Sequence, residues 1–146
     1  MDYKLDMFRQ MLLYMRRGKS NGVHVNAKPI FCLALIEWAK INNENEIKWG
    51  DELLCSLYRS IFKEMNIIHE TPIWKPFYYL SSEPFYSLIW EKPMVDNVGT
   101  IISPKFLREN LLYAKLDDDL WELLQNSDNR EYLKNAIINH YLKTDD

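Results

Sequence analysis

The residues with most chemistry to offer lie between Trp74 and Trp90, WKPFYYLSSEPFYSLIW, where seven of seventeen positions are aromatic. Aromatic faces stack on bases and sugars, and Tyr and Trp add a polar tip. The same rings also close a core, so the segment is either a packing hub or a recognition surface. Trp74, Phe77, Phe85 and Trp90 are expected inside. Tyr78, Tyr79 and Tyr86 are expected to point outward, with Lys75 exposed beside them. A second concentration of polar chemistry is the stretch from Ser20 to Lys28, which holds His24, Asn26 and Lys28.

Catalytic and metal-binding patterns are missing from this inventory. Gly occurs only at positions 18, 22, 50 and 99, so there is no glycine-rich phosphate loop. His24 with Cys32 or Asp51 makes a triad on paper only, because nothing in the spacing favours it. His69 and His140 stand alone. A structural zinc site needs four clustered ligands, which Cys32, Cys55 and three scattered histidines do not supply. The run Asp117-Asp118-Asp119 reads as a helix start, where carboxylates complement the positive helix end. No catalytic residue, metal or cofactor is expected. An enzyme would need a deep pocket lined by His24 or His69 with carboxylates.

Composition narrows the class further. The 146 residues suit one domain, 1–146, and an apolar fraction of 47% with 27% charged residues is ordinary for a globular chain. The longest apolar run, Ile30 to Ile36, is broken by Glu37 and falls far short of the roughly 20 residues that span a bilayer. Charges throughout the first thirty residues leave no signal-peptide centre, and both cysteines sit among apolar neighbours, as reduced core thiols do. The expectation is a cytoplasmic protein with no membrane contact. Net charge is -3, but it is uneven: residues 1–28 carry a balance of +4 and residues 116–146 one of -5. A basic face at one end, fit for a polyanion, is one reading; solvated helix surfaces are the other.

Periodicity supplies the elements that must position these residues. Leu5, Phe8, Leu12 and Met15 recur at helical spacing before Gly18. Ser20 to Ala27 reads as a loop. Pro29 suits the first turn of a helix that is apolar on most sides to Trp38, the expected centre of the core. Asn42 to Glu46 is a turn, Ile47 to Trp49 is extended, and Gly50-Asp51 opens a helix with an inward stripe of Leu53, Leu54, Leu57, Ile61 and Phe62. Pro72 and Pro76 forbid a long helix. Phe85 to Trp90 is a short strand, pairing with Val98–Ile102 or Ile47–Trp49. Ser103 and Pro104 start a helix with Phe106, Leu107, Leu111 and Leu112 inside. Asp117 or Asp118 caps a short helix. Ser127 or Asp128 caps the last, with Tyr132, Leu133, Ala136, Ile137 and Tyr141 on one stripe. The fold class is mainly α (α+β): about five to six helices in a compact bundle with a small antiparallel sheet.

Three segments together resemble a known family. They are Ala27-Lys28-Pro29 with the apolar run to Leu35; Lys75-Pro76-Phe77-Tyr78-Tyr79-Leu80 with Glu83-Pro84-Phe85-Tyr86-Ser87-Leu88; and Phe106-Leu107-Arg108-Glu109-Asn110, Tyr113-Ala114 and Leu116 to Tyr141. In order and spacing they are similar to the sulfur-binding domain of McrA-like HNH type IV restriction endonucleases, over roughly residues 25–142, with residues 1–18 as an added helix. The resemblance implies a non-catalytic DNA-binding module, in a restriction or defence system, that reads phosphorothioate-modified backbones. It implies DNA contacts by His24, Asn26, Lys28, Trp74, Lys75, Pro76, Phe77 and Tyr79. Pro76 would floor an apolar cup, and Lys28 with the loop before it would meet phosphate.

A sulfur in place of a non-bridging oxygen is larger, softer and less hydrated, so an apolar cup favours it, while cations hold the neighbouring phosphates without reading sequence. The chain departs from the family pattern in three places. Lys75 stands for a Tyr, bulky Tyr79 for a small residue, and Asn26-Ala27 for basic or imidazole side chains. The family's HNH nuclease follows this domain, whereas only four residues follow Leu142 here; a separately encoded nuclease is the implied partner. The rival expectation is a protein-interaction module that kept the fold and lost DNA binding. It calls for an exposed apolar patch around Tyr78 and Tyr86.

Overall fold

A computed structural model describes residues 2–17, 19–20, 23–24, 26–65, 67, 69–92 and 101–142, with the backbone alone at 19, 20, 23 and 24. Gly18, the side chain of His24 and residues 98–100 of the candidate strand lie outside that description. The elements run α1 (Tyr3–Leu13), β1 (Lys19–Ser20), β2 (Val23–His24), α2 (Ala27–Ile41), α3 (Glu52–Glu64) and α4 (Trp74–Tyr79). They continue with a 3-10 turn (Leu80–Ser82), β3 (Tyr86–Trp90), α5 (Pro104–Asn110), β4 (Leu111–Leu116), α6 (Asp118–Leu123) and α7 (Ser127–Ile137), closed by a π turn (Ile138–Leu142). The mainly helical α+β class holds, with more helices than the five or six expected.

Helix α2 is the axis of the core. Ile30 to Ile36, Trp38 and Ala39 are all buried, and only Glu37 and the two ends reach water. The other elements wrap it, and buried side chains from Phe8 to Ile137 form one cluster around it. Helix starts follow the capping chemistry. Asp51 accepts from the Leu54 amide, Ser103 from Phe106 with Pro104 behind it, and Asp117 from Asp119. The last helix differs. Its cap is Asn126, whose carboxamide oxygen accepts from the Asp128 and Asn129 amides, rather than Ser127 or Asp128. On α7 Leu133 and Ile137 face the core while Tyr132 is exposed.

Two segments depart from their periodicity. The loop read from Ser20 to Ala27 contains half of a hairpin, Lys19–Ser20 against Val23–His24. The helix expected to continue through Leu111 and Leu112 stops at Asn110, whose side chain donates to the Phe106 carbonyl. Leu111–Leu116 then pairs antiparallel with Tyr86–Trp90, with a bulge at the Ile89–Trp90 step. On its other edge Ile47 and Ala114 exchange backbone hydrogen bonds of 2.8 Å, and the Asn45 carboxamide clamps both backbone groups of Leu116. Leu, Ala and Lys are helix formers, but pairing along both edges outweighs that preference. The strand Phe85–Trp90 is thus present and its partner among the described residues is β4, while residues 98–100 of the other candidate partner lie outside the description; the extended Ile47 joins β4.

Tyr86 corrects a further expectation. It is 2% exposed, and its hydroxyl donates to the Phe77 carbonyl at 2.6 Å. Burial pushes its pKa well up, so it stays a neutral donor. Replacing Tyr86 by Phe deletes that donor and leaves a buried carbonyl unpaired. The expected cost is about 1–2 kcal/mol, read as a fall of a few degrees in the melting midpoint with the fold retained; an unchanged midpoint would contradict the assignment.

Candidate functional site

The candidate residues divide between α4 and the start of α2. Pro72 and Pro76 limit α4 to six residues, and Pro76, at its third position, gives up an amide that has no intrahelical partner there. Pro76 and Phe77 are buried. Lys75 and Tyr79, one turn apart, share the outer face and are exposed, Tyr79 by 50%. Trp74 is half-buried, with the Lys75 ammonium 5.8 Å from its ring centre.

Tyr79 begins a row of rings that sequence periodicity does not reveal. Its ring meets Tyr78 edge-on at 5.0 Å, Tyr78 lies 6.3 Å from Trp90, and Trp90 lies 5.7 Å from Phe106. The last three are half-buried, so α4, β3 and α5 together present an aromatic shelf. Trp90, expected in the core, belongs to this row, as do Tyr78 and Phe106. An interaction patch around Tyr78 and Tyr86 does not form as such, because Tyr86 is buried.

The start of α2 is tied to the end of α4 through Lys28. Its ammonium donates to the Ser82 hydroxyl at 3.2 Å and lies 3.7 Å from the Glu83 carboxylate. Both partners are largely buried, Lys28 13% and Glu83 9% exposed. Glu83 also accepts the Arg16 amide at 2.9 Å, so the carboxylate fastens α1's exit, α2's start and the 3-10 turn together. A lysine in the first turn of a helix faces the positive dipole end, and Glu83 offsets that.

Asn26 is held just as firmly. Its oxygen accepts from the Arg17 guanidinium at 2.8 Å and its amide donates to the Tyr141 carbonyl at 3.5 Å, while Arg17 lies 4.7 Å over the Tyr141 ring. The Tyr141 hydroxyl donates to Leu12 and accepts from the Met15 amide. Burial raises the Tyr141 pKa, partly opposed by the Met15 amide and Arg17. The structure therefore brings Asn26 and Lys28 together with Ser82, Glu83, Arg17 and Tyr141, four residues that sequence reasoning did not select. Only the Tyr141 stripe, the basic balance of residues 1–28 and the presence of Glu83 in one resembling segment gave any signal of them. Of His24 the structure gives the backbone, opposite Lys19 in the hairpin.

Elsewhere the chemistry is sparse. Cys32 is buried with its sulfur 3.6 Å from that of Met15, and burial, aided by the Glu83 charge, drives its thiol pKa far up. His69 and His140 are exposed, His140 edge-on to Tyr141. Among the described residues no group of three His, Cys, Asp or Glu side chains stands where it would hold a metal, and no helix is long and apolar enough to cross a membrane.

This arrangement has solved counterparts. The structure is similar to the sulfur binding domain of ScoMcrA complexed with phosphorothioated DNA, with a TM-score of 0.66, 14% sequence identity and coverage of 92% of this chain and 86% of that one. The chain has the sulfur-binding-domain fold. A second structure, of the sulfur binding and SRA domains of ScoMcrA with phosphorothioated DNA, aligns with a TM-score of 0.66 at 15% identity, covering 92% of this chain and 42% of that one. No family model matches the chain, and no curated protein matches it. The sequence resemblance to this domain is thereby borne out at the level of fold.

The Lys28–Glu83 pair predicts an asymmetric response. Lys28→Met leaves a buried carboxylate with the Arg16 amide as its remaining described donor, at an expected cost of about 1–3 kcal/mol. Adding Glu83→Gln removes that charge and recovers most of the loss in a denaturant titration. Equal costs for the single and double variants would show that the pair carries no coupling.

Proposed function

We propose that this chain is a non-catalytic DNA-binding module that reads phosphorothioate-modified backbones, acting in the cytoplasm. The observation that carries the reading is the fold shared, over 92% of the chain, with a domain complexed with phosphorothioated DNA. The residues fit that chemistry. Lys75 and Tyr79 pair a free cation with an apolar ring on one exposed helix face, and among the described residues Lys75 makes no ion pair. The cation holds phosphate; the ring offers sulfur the weakly hydrated contact it prefers over oxygen.

Roles within the site follow from exposure. Tyr79, flanked by Tyr78, lines the cup, and Pro76 supports it from beneath, since Pro76 is buried. Trp74 steers Lys75 through its ring face, and Phe77 anchors the helix to the core. Lys28 and Asn26, at the start of α2, supply the polar groups that meet the neighbouring backbone. Bulky Tyr79 narrows the cup without removing its apolar character.

The test is binding to two duplexes identical except for one phosphorothioate linkage, across a salt series. The expected result is tighter binding to the sulfur duplex. Lys75→Glu weakens both complexes and flattens the salt dependence by about 0.9 or more in log–log slope. Tyr79→Ser lowers the preference for sulfur about tenfold, or roughly 1.4 kcal/mol. Equal affinity for both duplexes removes the sulfur reading, and no binding at low salt removes the DNA reading altogether.

A further inference from the structure

Resting on that DNA reading, we infer that Glu83 is a specificity-determining residue, acting on DNA through Lys28 by holding the lysine's charge in check. Lys28 stands at the first turn of the central helix, where a phosphate contact would be made, yet its ammonium is not a free cation. One of its three donors goes to Ser82, the Glu83 carboxylate lies 3.7 Å away, and its side chain is almost wholly covered. An ammonium already facing a carboxylate at 3.7 Å presents little net charge to a passing phosphate.

Glu83 is itself fixed. The Arg16 amide holds the same carboxylate oxygen at 2.9 Å, so the carboxylate does not swing away to release the lysine. The groups around it are Lys28, the Cys32 thiol and Tyr141, with Arg17 beyond, and Lys28 is the cation it contacts.

The consequence is a division of labour in affinity. Ordinary duplex is bound almost entirely through phosphate charge, so each neutralised lysine subtracts from binding to unmodified DNA. Apolar contact with sulfur is untouched by that subtraction. A reader that must ignore a large excess of ordinary DNA gains discrimination by suppressing the charge term next to its cup. Glu83 provides that suppression while leaving Lys28 able to donate to a correctly seated backbone.

The test compares the intact chain with Glu83→Gln, Glu83→Asp and the double variant Glu83→Gln/Lys28→Gln on the same two duplexes, with circular dichroism and melting curves establishing that each is folded. Glu83→Gln is expected to bind ordinary duplex about three- to tenfold tighter at low salt, with a slope steeper by about 0.9, so that the sulfur preference shrinks. The double variant returns to the parental slope, because the released charge is that of Lys28. Glu83→Asp keeps the charge and the parental slope. A Glu83→Gln slope equal to the parental one overturns the inference, and so does a double variant as steep as the single. If Glu83→Gln unfolds, Glu83→Asp and the double variant carry the decision: a slope differing from the parental one in either overturns it. The parental chain binding neither duplex overturns the DNA reading and this inference together, and is recognised by its occurring without any substitution.

Discussion

Everything else in this molecule is arranged around the Phe31 ring. It is fully buried on α2 and meets three other rings edge-on, Tyr58 of α3 at 6.1 Å, Phe77 of α4 at 5.9 Å and Tyr86 of β3 at 6.1 Å. Phe77 then meets Trp49 at 5.2 Å. Edge-to-face pairs favour definite orientations as well as burial, so one side chain fixes the attitude of a long helix, a short helix and a strand. The candidate site follows from that constraint. Once Pro76, Phe77 and Leu80 are committed to the core, the six-residue helix has Lys75 and Tyr79 left to show to a ligand, with Trp74 and Tyr78 only in part.

Long stretches without regular structure are held by a few polar side chains with two ends. Tyr58 donates to the Thr71 carbonyl at 2.7 Å, Tyr86 to Phe77, and Tyr141 to Leu12, each sinking its ring in the core and tying a distant backbone with its hydroxyl. Burial raises the pKa of all three, which keeps them protonated donors at any ordinary pH. Asn45 does the same for Leu116 without a ring. These contacts join residues 13 to 129 positions apart in the chain, apart from the shorter Tyr86 link. The density of Tyr in the sequence is therefore partly a density of backbone fasteners.

The sequence displayed the helices well and the strands poorly, for a physical reason. Helix α2 announces itself by an apolar run behind a proline, and α1, α3 and α5 by period and caps. Leu111–Leu116 carries residues that favour helix, and its strand state exists because β3 and Ile47 flank it, which is a property of the whole fold. Of the site, the outward Lys75 and Tyr79 were legible from residue type, a charge and a polar-tipped ring, although helix α4 that carries them was not expected. Tyr86 was not, since its burial depends on the carbonyl of Phe77, nine positions earlier. The Glu83 link to Lys28 spans 54 or more positions and has no local signature at all. Short, degenerate motifs in the right order still identified the fold, because order and spacing encode which segments surround α2.

The charge asymmetry of the chain shows how a linear pattern can mislead. A basic beginning and an acidic end suggest a molecule with a positive pole. In the fold, α1 packs against α6 and α7, and Lys4 lies 3.3 Å from Asp119. The two oppositely charged ends thus become neighbours and partly cancel, as Lys28 cancels against Glu83. Among the described residues several exposed cations make no ion pair, Arg16 beyond α1, Lys40, Arg59, Lys63 and Lys75 among them, and of these Lys75 stands one turn from the exposed Tyr79 ring. With no positive pole to steer a polyanion, the proposed DNA reading calls for selectivity from local contact, and the exposed ring next to a lysine on α4 is where that contact would be made.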